Sequence, residues 1–215
     1  MAYKAVLFDL DGTLVHTPFD YVSRVVGRAL ADLNLSSGEG GIRRFWYEPF
    51  RERTIREVFG TEPEIFWPVM NRHDTPESRM SAARPYGDAD FVAELKETGY
   101  RTGIVTGARR GIIRCEVEMI GPGNFDVVIR AQKSSGMEPK PHPEGILRCL
   151  GELQVSPGEA MYVGNGPEDI EAAKAAGVLD VHMDRNEHPL NGMEPSVSIS
   201  SLYELRPMLP PRNAP

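Results

Sequence analysis

Cysteine is scarce in this 215-residue chain, with only Cys115 and Cys149, both inside apolar-periodic segments. Two thiols so placed read as buried core residues in a reducing compartment, not as a disulfide framework. No uninterrupted apolar run approaches the roughly 18 residues that cross a bilayer. The opening apolar stretch meets Asp9 too early for the core of a secretory signal. Positive charge is also short: 24 Lys and Arg against 31 Asp and Glu leave a net −7. That balance argues against a nucleic-acid binder, which displaces counterions with a basic face. At 40% hydrophobic and 26% charged residues, the composition excludes a disordered tail, a collagen-like repeat and a small disulfide scaffold. No internal repeat is visible. The expectation is a cytoplasmic protein without nucleic-acid or membrane partners, as a monomer or homodimer.

Short apolar runs alternate with helical patterns along most of the chain. Ala5 to Leu10 stops at acidic residues, as a buried parallel strand would, and similar runs recur at Thr102 to Val105, Asp126 to Ile129, Ala160 to Val163 and Asp180 to Met183. Between them, Asp88 is placed to cap a helix carrying Phe91, Val92 and Leu95 that ends at Gly99. Pro143 opens another, with Ile146, Leu147, Leu150 and Leu153 on one face, and a third runs from Pro167 to Gly177. This order predicts an α/β fold, a doubly wound, mostly parallel Rossmann-like sheet with its site at the carboxyl ends of the strands.

Residues 16–84 break the alternation. Val22, Val25, Val26, Ala29, Leu30 and Leu33 recur at helical spacing, Gly38 to Gly41 reads as a break, and Phe45, Trp46, Phe59, Phe66 and Trp67 fall in helical pieces. The expected organisation is therefore an inserted α-helical cap, 16–84, on a core of 1–15 and 85–215. The tail from Leu209, with Pro210, Pro211 and Pro215, reads as frayed.

Four segments carry chemistry. Asp9-Leu10-Asp11-Gly12-Thr13 puts two aspartates at the end of the first strand, costly if merely buried unless a cation and an incoming phosphate give them partners. Gly12 permits a sharp turn, and Thr13 offers a hydroxyl and an amide to an anion. Taken alone, the segment also reads as an Asp-Gly turn. Thr106-Gly107 ends the second core strand with a hydroxyl and amides that suit a phosphoryl oxygen, or with a plain helix cap. Lys140 lies in Glu138-Pro139-Lys140-Pro141-His142-Pro143, where prolines fix the backbone around one positioned cation, or where a Pro-rich loop carries an incidental lysine. Gly164-Asn165-Gly166-Pro167-Glu168-Asp169 ends the fourth strand with oxygen-bearing side chains that suit magnesium, or with acids favoured by a helix start.

In order and spacing these segments resemble the haloacid dehalogenase-like hydrolase superfamily across the whole core. The helical insertion resembles the cap of its phosphoglycolate phosphatase and β-phosphoglucomutase branch. The resemblance implies that Asp9 attacks phosphorus to form an aspartyl-phosphate and that Asp11 serves as acid and base, its backbone carbonyl binding Mg2+. It implies that Thr106 and Lys140 hold phosphoryl oxygens, with Gly12, Thr13 and Gly107 lining the substrate site. An aspartate at position 11 separates phosphatases and phosphomutases from the dehalogenase branch, so haloacid dehalogenation is not expected. The implied activity is a magnesium-dependent phosphatase acting on a small phosphorylated metabolite, resembling phosphoglycolate or a sugar phosphate. A phosphomutase is the alternative. Phosphonate hydrolysis needs a cap lysine, and all ten cations of residues 16–84 are arginines, balanced by ten acids.

The fourth motif departs from the family pattern. The implied metal set is Asp9, Asp11, Asn165 and Asp169, yet Asn165 stands where a charged, directly ligating aspartate is usual, and Asp169 would act mainly through a bound water. Magnesium would then bind more weakly, or Glu168 or Asp169 would swing in as a substitute; a non-catalytic, ligand-binding relative is the remaining alternative. In the cap, Arg43 and Arg44 are candidates for a substrate carboxylate or second phosphate, or ordinary solvated helix faces.

Overall fold

The computed structural model describes residues 2–49 and 51–212. The chain divides into two compact units, Met1–His16 with Pro85–Pro215, and Thr17–Arg84. Strand β1 (Ala5–Phe8) is followed by helices α1 (Phe19–Asp32), α2 (Glu39–Tyr47), α3 (Arg51–Thr54), α4 (Pro63–His73) and α5 (Pro76–Ala82). The chain returns as α6 (Phe91–Glu97), β2 (Arg101–Thr106), α7 (Arg110–Ile120), β3 (Val127–Arg130) and α8 (Glu144–Leu153). It ends with β4 (Ala160–Gly164), α9 (Pro167–Ala176), β5 (Leu179–Met183) and β6 (Val197–Ile199).

The six strands form one parallel sheet in the order β3-β2-β1-β4-β5-β6. The order reverses beside β1, and Phe8 lies opposite Ile104 on one side and Val163 on the other. That register makes β1, β2 and β4 run out at one edge, where a doubly wound sheet opens a crevice. Strand β1 is fully buried along its length, which is why it reads as an unbroken apolar run. Ile146, Cys149, Leu150 and Leu153 of α8 join the core beside Leu7, Val105 and Tyr162. Both cysteines are buried and in no disulfide, and burial pushes the Cys149 thiol up to about 12.

Several expectations need correction. Asp88 does not cap α6: Asp90 holds that position without a side-chain bond, and the Asp88 carboxylate turns to Leu202 N and Arg185. Leu147 is 44% exposed, not part of the buried face of α8. Strand β6 was not anticipated, because only three residues of Ser196 to Ser200 pair. The tail is not frayed as far as Arg212: Leu209 is buried, Tyr100 donates its hydroxyl to Pro210 O at 2.7 Å, and Arg212 N donates to Thr98 O at 3.0 Å. Pro215 lies outside the described residues.

The second unit is helical, with two-residue strands Val15–His16 and Arg84–Pro85 at the ends of the insertion. Tyr21, Val22, Val25, Val26, Ala29 and Leu30 of α1 bury one face of that helix, as the 3.6-residue period requires. Phe45 is the centre of an aromatic cluster, with ring centroids 5.3 Å from Phe59, 5.4 Å from Phe66 and 5.6 Å from Trp67. The glycine-rich stretch is not a break: Gly38 is the N-cap and Glu39, Gly40 and Gly41 are the first turn of α2. Arg79 is the buried exception among this unit's arginines. It pairs with Asp74 at 3.0 Å and donates to Thr17 Oγ1 at 2.9 Å. Among the described residues no helix is long and apolar enough to cross a membrane.

Candidate active site

The loop after β1 turns within four residues. Gly12 N donates to Val15 O at 2.7 Å, and Leu14 N and Val15 N both donate to Leu10 O. Gly12 has φ +83°, and a Cβ there would stand 2.2 Å from Asn165 Nδ2; backbone conformation and close approach both require glycine. The turn leaves Asp11 half-buried and Thr13 fully buried. Thr13 Oγ1 donates to Asn165 Oδ1 at 3.2 Å, tying the loop after β1 to the loop after β4. From β5's end, Arg185 Nη2 donates to Thr13 O at 2.9 Å.

Asp9 follows β1 directly, its N–H donating to Val163 O at 2.9 Å. Lys140 Nζ lies 2.7 Å from Asp9 Oδ1 and 2.5 Å from Asp169 Oδ1, so one ammonium bridges two carboxylates. The peptide bond from Lys140 to Pro141 is cis. Tyr162 Oη accepts from Lys140 at 3.0 Å and lies within donating distance of Val105 O, 2.9 Å, and Asp169 Oδ1, 3.2 Å. Asp169 Oδ2 accepts from Asn165 N at 3.0 Å and Gly166 N at 2.9 Å. Both Asp169 oxygens are thus engaged, one with Lys140 and Tyr162 and one with the head of α9.

Burial decides the electrostatics. Loss of water pushes the Asp9 carboxyl up to about 7, Lys140 pulling it down and Asp169 pushing it up. Burial also works against the Lys140 ammonium, but Asp169 and Asp9 together hold its pKa well above the ordinary lysine value. The site has one fixed cation for two buried carboxylates, which leaves room for further positive charge.

Thr106 ends β2, buried, with Oγ1 accepting from Ala108 N at 3.2 Å. It is not the helix cap; Arg109 is. Gly107 follows, its carbonyl accepting from Gln132 Nε2. Asp9, Thr106 and Asn165 therefore leave three neighbouring strands at one edge, with Lys140 brought to Asp9 by its own side chain. Arg43 and Arg44 belong to the helical unit and are occupied locally. Arg43 pairs with Glu39 at 2.8 Å and lies 3.9 Å over the Phe19 ring; Arg44 pairs with Glu48 and Glu57, each at 3.2 Å.

Among the described residues no three His, Cys, Asp or Glu side chains converge as a metal cluster. Asn165, just past the end of β4, brings an uncharged amide to the loop that carries Asp9 and Asp11. One acid nearby is unspent: Oε2 of Glu168 is buried without a hydrogen-bond partner.

Sequence reasoning missed Tyr162, which reads as one more apolar strand residue, and the Arg185–Asp88 pair. It also missed Tyr86, whose hydroxyl donates to Glu187 Oε2 at 3.2 Å, with Glu187 also 3.1 Å from His16 Nδ1. An arginine at the carboxyl end of the Asp180 to Met183 run was the available signal for Arg185. A groove of about 920 Å3 runs along the edge strand β3, between Arg110, Ile113, Val128, Leu147 and Arg148. None of the acids and hydroxyls above lines it.

The model of the family described as haloacid dehalogenase-like hydrolase matches residues 6–182. The chain is similar to the pyrophosphatase PpaX of Bacillus velezensis, 28% identical, with 94% of each chain covered. It is similar to the phosphoglycolate phosphatase of Aquifex aeolicus, 26% identical, with 81% of each covered. In three dimensions it is similar to CbbY from Rhodobacter sphaeroides in complex with phosphate, with a TM-score of 0.74, 22% identity, and 95% of this chain and 96% of the other covered. The strand order, the aspartates at the end of β1 and these likenesses agree: the chain belongs to the haloacid dehalogenase-like hydrolases, in their phosphoglycolate phosphatase-like branch.

Proposed function

We propose that this chain is a magnesium-dependent phosphatase of a small phosphorylated metabolite, working through an aspartyl-phosphate on Asp9. The observation that carries the reading is the Asp9–Lys140–Asp169 bridge at the carboxyl ends of the strands. An Asp9 oxygen bonds to phosphorus as the bond from phosphorus to the leaving alcohol breaks, and Asp11 gives that alcohol its proton. Asp11 then takes a proton from the water that attacks the phospho-aspartate, freeing phosphate and restoring the Asp9 carboxylate. Lys140, the Thr106 hydroxyl and the Gly107 amide hold the phosphoryl oxygens, while Gly12 and Thr13 shape the loop against them.

The residues present fit a magnesium ion. Asp9 is a buried carboxylate raised by desolvation, and the Asp11 carbonyl and Asn165 amide add neutral oxygens, the hard donors this cation takes. When bound, the ion supplies positive charge against the developing phosphoryl charge. Asp169 belongs to this set through Lys140 and the α9 amides, not as a direct ligand, since both its oxygens are engaged.

Phosphoglycolate, a sugar phosphate and, from the name of the PpaX relatives, pyrophosphate are the first substrates to try. In the same reading Thr17–Arg84 selects the leaving group. A phosphate-release panel with magnesium and with chelator, run beside Asp9→Asn, tests the proposal. Metal-dependent release that Asp9→Asn abolishes supports it; release that survives Asp9→Asn sinks it. An isomeric ester without free phosphate would identify a phosphomutase instead.

A further inference from the structure

Three side chains at and just before the head of α9 carry oxygens that suit a hard cation, Asn165, Glu168 and Asp169, and they differ in how far those oxygens are already engaged. Asn165 carries no formal charge, and its Oδ1 already accepts from Thr13. Asp169 has one oxygen on Lys140 and Tyr162 and the other on two backbone amides. To swing toward a cation it would have to abandon the amides that start the helix. Glu168 is different. Its Oε2 is buried with no hydrogen-bond donor, and the carboxylate is folded back over Gly166, the residue after Asn165. A Cβ on Gly166 would stand 2.9 Å from Oε2 and 3.1 Å from Cδ of Glu168, so the carboxylate packs directly against that glycine.

A bland account exists. Glutamate in the first turn of a helix gains from the helix dipole wherever it points. That gain needs no burial, whereas a carboxylate oxygen removed from water without a donor is costly unless a cation meets it. Magnesium is commonly bound through one or two carboxylates, with waters and substrate phosphate completing an octahedron. Asp9 and Glu168 make two.

We propose that Glu168 is the second anionic ligand of the site's divalent cation, supplying from the first turn of α9 the charge that Asn165 lacks. The inference rests on the metal-dependent reading above. The test is direct binding without turnover. Mn2+ is titrated into the parent, E168Q, N165D and N165D/E168Q, bound ion is read as loss of the free-ion electron paramagnetic resonance signal, and Mg2+ is added as competitor. Circular dichroism checks that each variant is folded. E168Q should weaken binding by about 10- to 100-fold, and N165D/E168Q should recover most of that loss. Equal affinity in E168Q and the parent, or no binding by the parent, overturns the proposal. A parent that binds Mn2+ through Glu168 yet releases phosphate from no substrate would leave this inference standing and remove the phosphatase reading.

Discussion

Arg185 grips Asp88 through two hydrogen bonds, 3.0 Å and 2.8 Å, and the same guanidinium holds the Thr13 carbonyl at 2.9 Å. The loop that carries the paired aspartates is therefore fixed from outside its own strand. Burial pushes the Asp88 carboxyl up, but Arg185 and the Leu202 amide outweigh it and hold the carboxyl below its ordinary value of 3.8. A depressed carboxylate contributes stability that is present above its unfolded pKa and lost as pH falls through its folded one.

Asp88→Asn should consequently cost about 2 kcal/mol near neutrality, from the weakened charge-assisted bonds. Urea unfolding should give the same gap between parent and variant at pH 7 and pH 5, shrinking as pH falls below about 4. A gap that persists undiminished to about pH 2.5 would show that Asp88 stabilises through packing and not through its charge.

Lys140→Met removes the one ammonium between two buried carboxylates. Turnover should fall by about 10²- to 10³-fold in kcat/KM, the effect of removing one preorganised positive group. Stability should fall as well, by about 3 kcal/mol, because Asp9 and Asp169 then face each other uncompensated. Steady-state kinetics and urea unfolding on the same preparation separate the two; a variant within tenfold of the parent in kcat/KM would remove Lys140 from the phosphoryl site.

The helical unit carries an independent test. Arg79 and Asp74 are 4% and 6% exposed in their side chains and form a 3.0 Å pair. Arg79→Met should destabilise this unit by about 3–5 kcal/mol by leaving the buried Asp74 charge with the Tyr21 hydroxyl, 2.7 Å away, but without its cation. Adding Asp74→Asn should return part of the loss. Trp46, whose ring lies 5.5 Å from the Arg79 guanidinium, reports the transition by fluorescence. Equal stability of Arg79→Met and the parent would contradict the assignment.

The buried strands were legible because a strand covered on both faces is apolar at every position, and Asp9 to Thr13 stood out because acids interrupt such a run. Lys140 was legible only as a cation among prolines; nothing in sequence said which carboxylates, 131 and 29 residues away, it would meet. Tyr162 was hidden by its ring, since an aromatic in an apolar run carries no sign of what its hydroxyl reaches. Gly38 to Gly41 misled because glycines lower helix propensity, yet burial of Ile42, Phe45 and Trp46 outweighs that cost. Asp88 misled because the same carboxylate that suits a helix cap also suits an arginine and a distant amide.

Asp169 has one further consequence. Its two oxygens answer to different masters, one to the lysine beside Asp9 and one to the amides that set the position of Asn165. A change at residue 169 would be felt at residues 9, 140 and 165 together. Double-mutant cycles among these four positions should depart strongly from additivity, and this chain will tolerate or reject substitutions there as a block, not one at a time.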